Sequence, residues 1–261
     1  MVDGFVYAGR DDPGAGELAH AEVGRRIRNR SLGPPWIVVS HTLDDVTVAR
    51  WPGRLFRVAS VPPGNEQERA ALAAAAENLR PDAGYTRVFA VDVVAELAAG
   101  SLFGPYGEVV GVVLDFAQQL AEPVAWQLTT GRDPGADAAY GRAWLRWLDG
   151  QPNAAPYLNH DHRHTLAIPG ASRRGPGAGR IDSPIGHGLT LLCRCVTDTA
   201  RSLVGEAAFT VDEEGDLLLV EPWRGARTAL LHAAMATGMA DLIDATDAAR
   251  LTAAWAPFAR S

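Results

Sequence analysis

Three histidines alternate along a short polar stretch in the second half of the chain. They are His160, His162 and His164. Side chains two residues apart on a β-strand lie on the same face, so a strand here would align all three imidazoles. Imidazole nitrogens are common metal ligands and also act as general acids and bases near neutral pH. The stretch is therefore a candidate for either chemistry, and a solvent-exposed polar strand or loop is the third interpretation.

The length of a strand limits how many of these histidines one metal ion can bind. Four strand steps cover ~13 Å at ~3.3 Å per residue, whereas each ligating nitrogen must come within ~2.1 Å of the ion. A divalent metal would therefore be bound by two of the three histidines together with a distant ligand, and we name His160 and His162 as the pair. His187 is the first candidate for that ligand, and Asp182 is the second.

A glycine-rich loop that follows the histidines carries an excess of positive charge. Residues 160–180 contain four arginines and one acidic residue. Guanidinium groups bind carboxylates and phosphates through paired hydrogen bonds, and glycines let backbone N–H groups approach an anion. The sequence thus predicts an anion-binding loop, with a surface loop that binds nothing as the alternative. The predicted substrate-binding residues are Arg163, Arg173, Arg174 and Arg180.

Glu221 is a further candidate for proton transfer. It ends a predicted strand and precedes Pro222 and Trp223. A carboxyl group at a strand end can serve as a general acid or base. A structural position beside a turn at the edge of the core is the alternative interpretation.

The two cysteines are predicted to lie on an apolar strand over 188–196. They are Cys193 and Cys195. Strand alternation would put both sulfur atoms on one face, and the single intervening residue would strain a disulfide between them. We expect buried thiols that pack as small apolar groups.

The basic residues of the chain are all arginine, which excludes several mechanisms. There are 24 of them and no lysine. A lysine Schiff base is impossible, and with it lysine-anchored pyridoxal phosphate chemistry. A nucleotide site built on a P-loop lysine is also excluded. A GC-rich genome explains most of this bias, because arginine codons are GC-rich.

Net charge and hydropathy predict a soluble cytoplasmic protein. The formal net charge is −7, so the long-range field repels nucleic acid and anionic membrane surfaces. The sequence contains no run of 18 apolar residues, and its start lacks the layout of a signal peptide. Neither nucleic acid nor a membrane is expected as a partner, and no oligomeric state is predicted.

A second basic segment lies near the N-terminus. Residues 23–30 contain four arginines and no acidic residue. The longer segment 17–30 is predicted to be a helix, because its acids come early and its arginines late, as the helix dipole favours. These arginines could contact phosphate or an acidic partner, and a solvent-exposed helix end is the alternative.

Strand and helix patterns mix along the chain without a regular βαβ alternation, which indicates an α+β fold. We expect mixed, largely antiparallel sheets with flanking helices in two lobes. A Gly- and Pro-containing stretch at 150–156 is the predicted boundary between an N-terminal α/β lobe, 1–149, and a C-terminal α+β lobe, 150–261. The other predicted elements are strands over 5–9, 36–40, 45–51, 54–61 and 86–93, helices over 66–79, 108–121, 137–148 and 227–236, and a hairpin of 206–211 with 216–221.

Together these features predict an enzyme that acts on a small anionic metabolite by hydrolysis or group transfer. His160, His162 and Glu221 are the predicted catalytic residues. In the metal-dependent version, His187 completes the ligand set around a divalent ion. The alternative is a non-catalytic binding or regulatory protein whose two basic segments contact an acidic protein partner or nucleic-acid phosphate.

Overall fold

The computed structural model describes residues 3–10, 16–77, 84–149, 184–213 and 215–259. They belong to two compact units, Met1–Leu102 and Phe103–Ser261. A six-stranded antiparallel sheet dominates the first unit, and helices dominate the second. The α+β fold predicted from the sequence is therefore confirmed.

Six strands form the sheet of the N-terminal unit. They are β1 (Asp3–Gly9), β2 (Arg26–Arg28), β3 (Ile37–Ser40), β4 (Gly53–Val61), β5 (Tyr85–Val88) and β6 (Ala90–Leu97). Their order across the sheet is β2-β6-β4-β1-β3-β5, and all neighbours are antiparallel. Period-two alternation buries Val6 and Ala8 on β1, where they join a core that includes Phe56 and Val91.

The strand predictions of this unit are partly confirmed. β1, β3 and β4 lie where the sequence places them. The strand expected over 86–93 is divided into β5 and β6, with Phe89 between them. Residues 45–51 do not form a strand.

The helix predicted over 17–30 is wrong. A 3-10 helix occupies Gly16–His20, and Arg26–Arg28 forms the edge strand β2, which pairs with β6. The segment has too few inward-facing apolar side chains for a helical stripe, since Ile27 is buried but Val23 is 56% exposed. Strand pairing buries Ile27 alone and leaves its two neighbours exposed.

α1 (Glu66–Ala76) is the α-helix found among the described residues of this unit, and Asn65 is its N-cap. The Asn65 side-chain oxygen accepts a hydrogen bond from the Glu68 N–H at 2.9 Å. In return, the Glu68 carboxylate accepts one from the Gly64 N–H at 2.8 Å. These bonds satisfy backbone donors that a helix start leaves without partners.

The described part of the C-terminal unit is mainly helical. Its α-helices are α2 (Gly107–Gln118), α3 (Glu122–Thr130), α4 (Ala136–Asp149), α5 (Pro184–Val204), α6 (Trp223–Gly238) and α7 (Ala245–Thr252). α6 is central, because it packs against all five of the others. None of the described helices combines the length and apolar character needed to cross a bilayer.

The packing of α6 requires a glycine at position 225. A Cβ atom there would lie 2.4 Å from Thr129 Cγ2 on α3, which is closer than side chains approach each other. The Thr129 hydroxyl also donates to the Pro222 carbonyl at 2.9 Å. The missing side chain thus lets α3 and α6 approach each other closely.

The strand predicted over 188–196 is wrong, since these residues lie inside α5. Leu189, Leu192 and Val196 are fully buried, and this spacing of three and four residues marks one face of a helix. The predicted common strand face for Cys193 and Cys195 is therefore also wrong. Both thiols are nevertheless free and buried, as the sequence predicts.

A short hairpin completes the C-terminal unit and confirms its prediction. β7 (Phe209–Val211) pairs with β8 (Leu217–Leu219) in antiparallel fashion. Gly215 in the turn has a φ of +86°, a left-handed conformation that glycine adopts without strain.

The boundary between the compact units differs from the predicted lobe boundary at 149/150. α2, α3 and α4 precede that position, yet they pack against α5, α6 and α7 within one unit. Each of these helices buries an apolar face against its neighbours, which keeps both sides of position 150 in one core. The stretch that suggested the boundary, 150–156, lies outside the described residues.

Candidate functional site

Most of the site residues predicted from the sequence lie outside the described residues, so their roles stay predictions. These residues are His160, His162, Arg163, Arg173, Arg174 and Arg180. The backbone of His187 lies in the first turn of α5, and its role as a metal ligand also stays a prediction.

Glu221 lies directly before α6 and contacts its first turn. One carboxylate oxygen, Oε2, accepts a hydrogen bond from the Gly225 N–H at 2.9 Å. The other, Oε1, accepts one from Arg224 Nε at 2.9 Å. These bonds stabilise the start of the helix. The proposed catalytic role of Glu221 stays a prediction.

A different set of polar side chains lies around the contact of α4, α5 and α6 in the C-terminal unit. We call it the α4–α6 cluster. Its members range from the buried His232 to Asp137, whose side chain is 67% exposed. Asp137, Tyr140 and Trp144 share one face of α4, since they are separated by three and four residues. Arg132 precedes that helix. The remaining members are Cys193 on α5 and Arg227 and His232 on α6.

A histidine and an aspartate form the first part of the cluster. His232 is 3% exposed, and its Nε2 lies 3.3 Å from Asp137 Oδ1. Arg132 donates to the same oxygen at 2.5 Å. The hydrogen bond with His232 is the largest of the interactions that lower the pKa of Asp137 to about 2.

The surroundings of His232 favour the neutral form of its imidazole. Burial lowers the pKa of its imidazole, and the nearby Asp137 carboxylate opposes that change only in part. If Nε2 carries the proton and donates it to Asp137, Nδ1 keeps its lone pair. A neutral imidazole oriented by an ionised carboxylate can act as a general base.

Two aromatic side chains contribute buried polar atoms with no hydrogen-bond partner in the described parts of the chain. They are the Tyr140 hydroxyl and Trp144 Nε1. The two rings are 6.2 Å apart, and the Tyr140 ring lies 5.1 Å from the His232 ring. Trp144 Nε1 lies close to the Tyr140 oxygen but without hydrogen-bond geometry.

Arg227 and Cys193 form the other end of the cluster. Arg227 Nε is buried and has no hydrogen-bond partner among the described residues. The Cys193 thiol interacts electrostatically with both Arg227 and Tyr140. Burial raises the pKa of Cys193, while Arg227 opposes the change, so the thiol stays protonated.

The unpartnered polar atoms of the cluster are hydrogen-bond donors. They lie on Arg132, Tyr140, Trp144 and Arg227, and all carry hydrogens that they can donate. These donors could form hydrogen bonds with acceptor atoms of a ligand. Within the described ranges, no group of three or more His, Cys, Asp or Glu side chains lies close enough together to bind a metal ion.

Sequence reasoning missed His232 because it stands alone in an alanine-rich segment without a motif. The aromatic face of α4, formed by Tyr140, Trp144 and Trp147, was detectable from its helical spacing. That face predicts core packing, and all three side chains are indeed buried. Asp137 at the start of the same face was the available signal for a polar partner.

Three of the four arginines of segment 23–30 line a groove of about 460 Å³ in the N-terminal unit. Each of these three forms an ion pair with a carboxylate of that unit. The pairs are Arg26 with Asp92, Arg28 with Glu68, and Arg30 with Glu17. Because these charges compensate each other locally, the groove attracts an anion less than its number of arginines suggests.

Comparisons of the chain with protein-family models, with curated proteins and with solved structures found no match. Its function is therefore inferred from its own residues.

Proposed function

We propose that this chain is an enzyme that acts on a small anionic metabolite by hydrolysis or group transfer. The observation that carries the proposal is the buried His232 imidazole, whose Nε2 lies 3.3 Å from Asp137 Oδ1. Burial lowers the pKa of this imidazole, which favours its neutral form. Histidine in this state is a base near neutral pH, and the carboxylate fixes its orientation.

The unpartnered donors around this pair support an anionic substrate. Arg227 supplies a positive charge, and Tyr140 and Trp144 supply neutral donors; in each of these residues the unpartnered polar atom is buried. In a region shielded from water, such donors stabilise negative charge that develops during proton transfer or nucleophilic attack. Arg132 is already paired with Asp137, so its charge is compensated.

His160, His162 and the arginines of the loop 170–180 belong to the same proposal as further catalytic, metal-binding or substrate-binding residues. Metal analysis of the purified protein and of the variants His160→Ala and His162→Ala tests the metal role. We expect a bound divalent ion in the wild type and less metal in both variants. Equal metal content in all three proteins, including none, contradicts the metal role.

Hydrolysis of chromogenic esters that carry an anionic group tests the catalytic role of His232. The panel is p-nitrophenyl phosphate, bis(p-nitrophenyl) phosphate and p-nitrophenyl hemisuccinate. We expect turnover of at least one ester and a loss of about 100-fold or more in His232→Gln, because acid–base catalysis contributes about 10²–10⁴-fold. The rate should fall on acidification below the ordinary histidine pKa of about 6.5, as the base becomes protonated.

His41→Gln is the matched control. His41 is an exposed histidine of the N-terminal unit whose Nε2 lies 2.8 Å from Thr86 Oγ1. This variant should retain the wild-type rate. Equal rates in wild type and His232→Gln contradict the proposal, as does the absence of turnover above the protein-free rate for every ester.

A further inference from the structure

The hairpin of β7 and β8 exposes apolar side chains at the end that carries its turn. Val211 is 61% exposed and Leu217 is 55% exposed. The two residues are directly opposite each other in the antiparallel ladder, so their side chains lie side by side on one face. We call this pair the hairpin face. Adjacent large apolar side chains that stay exposed and are bordered by polar residues are typical of interaction surfaces.

The base of the hairpin is anchored to the rest of its unit. Phe209 and Leu219 form the next cross-strand pair on the same side of the hairpin. Leu219 is buried, and the Arg201 guanidinium lies 4.6 Å from the centre of the Phe209 ring. This side of the hairpin is thus packed at its base and open beside the turn.

The hairpin carries a large negative charge. Segment 206–221 contains six acidic residues and no basic residue, which gives it a formal charge of −6. The acids at its two ends lie close to arginines of the neighbouring helices. Glu213 and Asp216, which lie in the turn beside the hairpin face, form no ion pair with any described residue. The apolar pair is therefore bordered by negative charge that is not compensated within the described part of the chain.

The hairpin also has open strand edges. Within the described ranges, β7 and β8 pair only with each other. The outer edge of a strand presents N–H and C=O groups to which an extended segment of another chain can add. Side chains of an added strand alternate between two faces, so every second one lies beside the hairpin face.

We propose that the hairpin binds an extended, basic segment of a partner protein in which apolar residues alternate with arginine or lysine. The apolar residues cover the hairpin face, and the basic residues pair with the acids of the turn. A second copy of this chain is disfavoured as the occupant, because two segments of charge −6 repel each other. The same charge disfavours nucleic acid and anionic lipid. This inference concerns recognition of a partner and goes beyond the proposed enzymatic function.

Fluorescence anisotropy of a labelled peptide that alternates arginine and valine, titrated with the full chain, tests the inference. One comparison peptide has serine in place of valine, and the other has glutamate in place of arginine. We expect saturable binding of the arginine–valine peptide and affinities at least about tenfold lower for both comparison peptides. The affinity should also fall as the salt concentration rises, because charge pairing at an exposed surface is screened.

Substitutions on the hairpin face test the apolar contact. Val211→Ser and Leu217→Ser should each weaken binding of the arginine–valine peptide about tenfold, because each removes apolar area that the peptide covers. Val112→Ser is the matched control, at a 54% exposed position of α2, and should bind like the wild type. Circular dichroism verifies the fold of each variant.

Substitutions in the turn test the charge pairing. The double variant Glu213→Gln/Asp216→Asn should weaken binding several-fold and reduce its salt dependence, because it removes two negative charges beside the hairpin face. Asp198→Asn, at an exposed position of α5, is the matched control and should bind like the wild type.

The inference is overturned if the arginine–valine peptide does not bind saturably, or if either comparison peptide binds as tightly. It is also overturned if Leu217→Ser or the double variant keeps the wild-type affinity, or if Val112→Ser weakens binding as much as Leu217→Ser does. Sedimentation velocity tests a second copy as the occupant. A wild-type dimer that Leu217→Ser converts to a monomer would assign the hairpin face to self-association and would likewise overturn the inference.

Discussion

Replacing Tyr140 by phenylalanine should stabilise the C-terminal unit, although removal of a buried hydroxyl usually destabilises a protein. A buried tyrosine normally has a partner, and loss of that hydrogen bond costs about 0.5–1.5 kcal/mol. Tyr140 is 2% exposed, and its hydroxyl has no partner in the described parts of the chain. Burial also raises the pKa of this hydroxyl, so it is uncharged at neutral pH.

The size of the effect follows from the cost of an unsatisfied buried group, which is about 1–3 kcal/mol. The substitution removes one oxygen and keeps the ring contacts with Trp144 and His232. We expect the free energy of unfolding to rise by about 1 kcal/mol. This is the low end of the range, because the substitution also takes the nearby oxygen away from the Trp144 N–H. For a unit of this size, that raises the melting temperature by about 2–4 °C.

Thermal and urea unfolding of the ligand-free protein measure this change. Tyr106→Phe in the same unit is the matched control, because its hydroxyl donates to Asp241 Oδ1 at 2.6 Å. That variant should lose up to about 1 kcal/mol. A loss of 1 kcal/mol or more in Tyr140→Phe would show that its hydroxyl is hydrogen-bonded in the folded chain, and would refute the reasoning.

Three further predictions concern the same unit. Asp247→Asn should reduce the free energy of unfolding by about 2 kcal/mol in urea, because Asp247 is 4% exposed and accepts two hydrogen bonds from Arg142. Asp198→Asn, at an exposed position, is its control, and an equal change in both variants would contradict the importance of that ion pair. Glu221→Ala should reduce the free energy of unfolding by about 1 kcal/mol, because it removes the acceptor for the Gly225 N–H in the first turn. Glu221→Gln keeps an acceptor and should lose less. Equal losses in the two variants would show that this hydrogen bond is not the cause. Stability should fall as the pH falls below about 6.5, because the unfolded chain protonates His232 more readily than the folded chain does, and a His232→Gln protein with an unchanged pH profile would contradict this.

The elements that sequence patterns predicted well are those whose local signals agree with their packing. Asn65 starts α1 because a side-chain acceptor is needed there, and Gly215 supplies the left-handed turn of the hairpin. The aromatic face of α4 follows directly from spacings of three and four residues. In each case the residues within one element contain the whole signal.

The secondary-structure predictions are wrong where tertiary packing determines whether a segment becomes a helix or a strand. An apolar run such as 188–196 fits a buried strand and a buried helix equally well, and its position in a helical unit selects the helix. The charge order of 17–30 favours a helix, but pairing with β6 gives Ile27 a buried position that a helix would not. Charge order alone contributes too little free energy to outweigh that burial.

The α4–α6 cluster was hidden from sequence analysis because its members are far apart in the chain. Asp137 and His232 are separated by almost a hundred residues, with no motif around either. Only the packing of α4 against α6 brings them together. The histidines and arginines of 160–180, by contrast, are close together in the sequence. They lie outside the described residues.

The protonation state of His232 tests the proposed catalytic role most directly. Long-range ¹⁵N–¹H correlation spectra of histidine-labelled protein at pH 7 report the state of both ring nitrogens, and comparison with His232→Gln assigns the signals. The account predicts a neutral ring with the proton on Nε2, toward Asp137, and a bare Nδ1. A positively charged ring at pH 7, or a proton on Nδ1 with Nε2 bare, would contradict it.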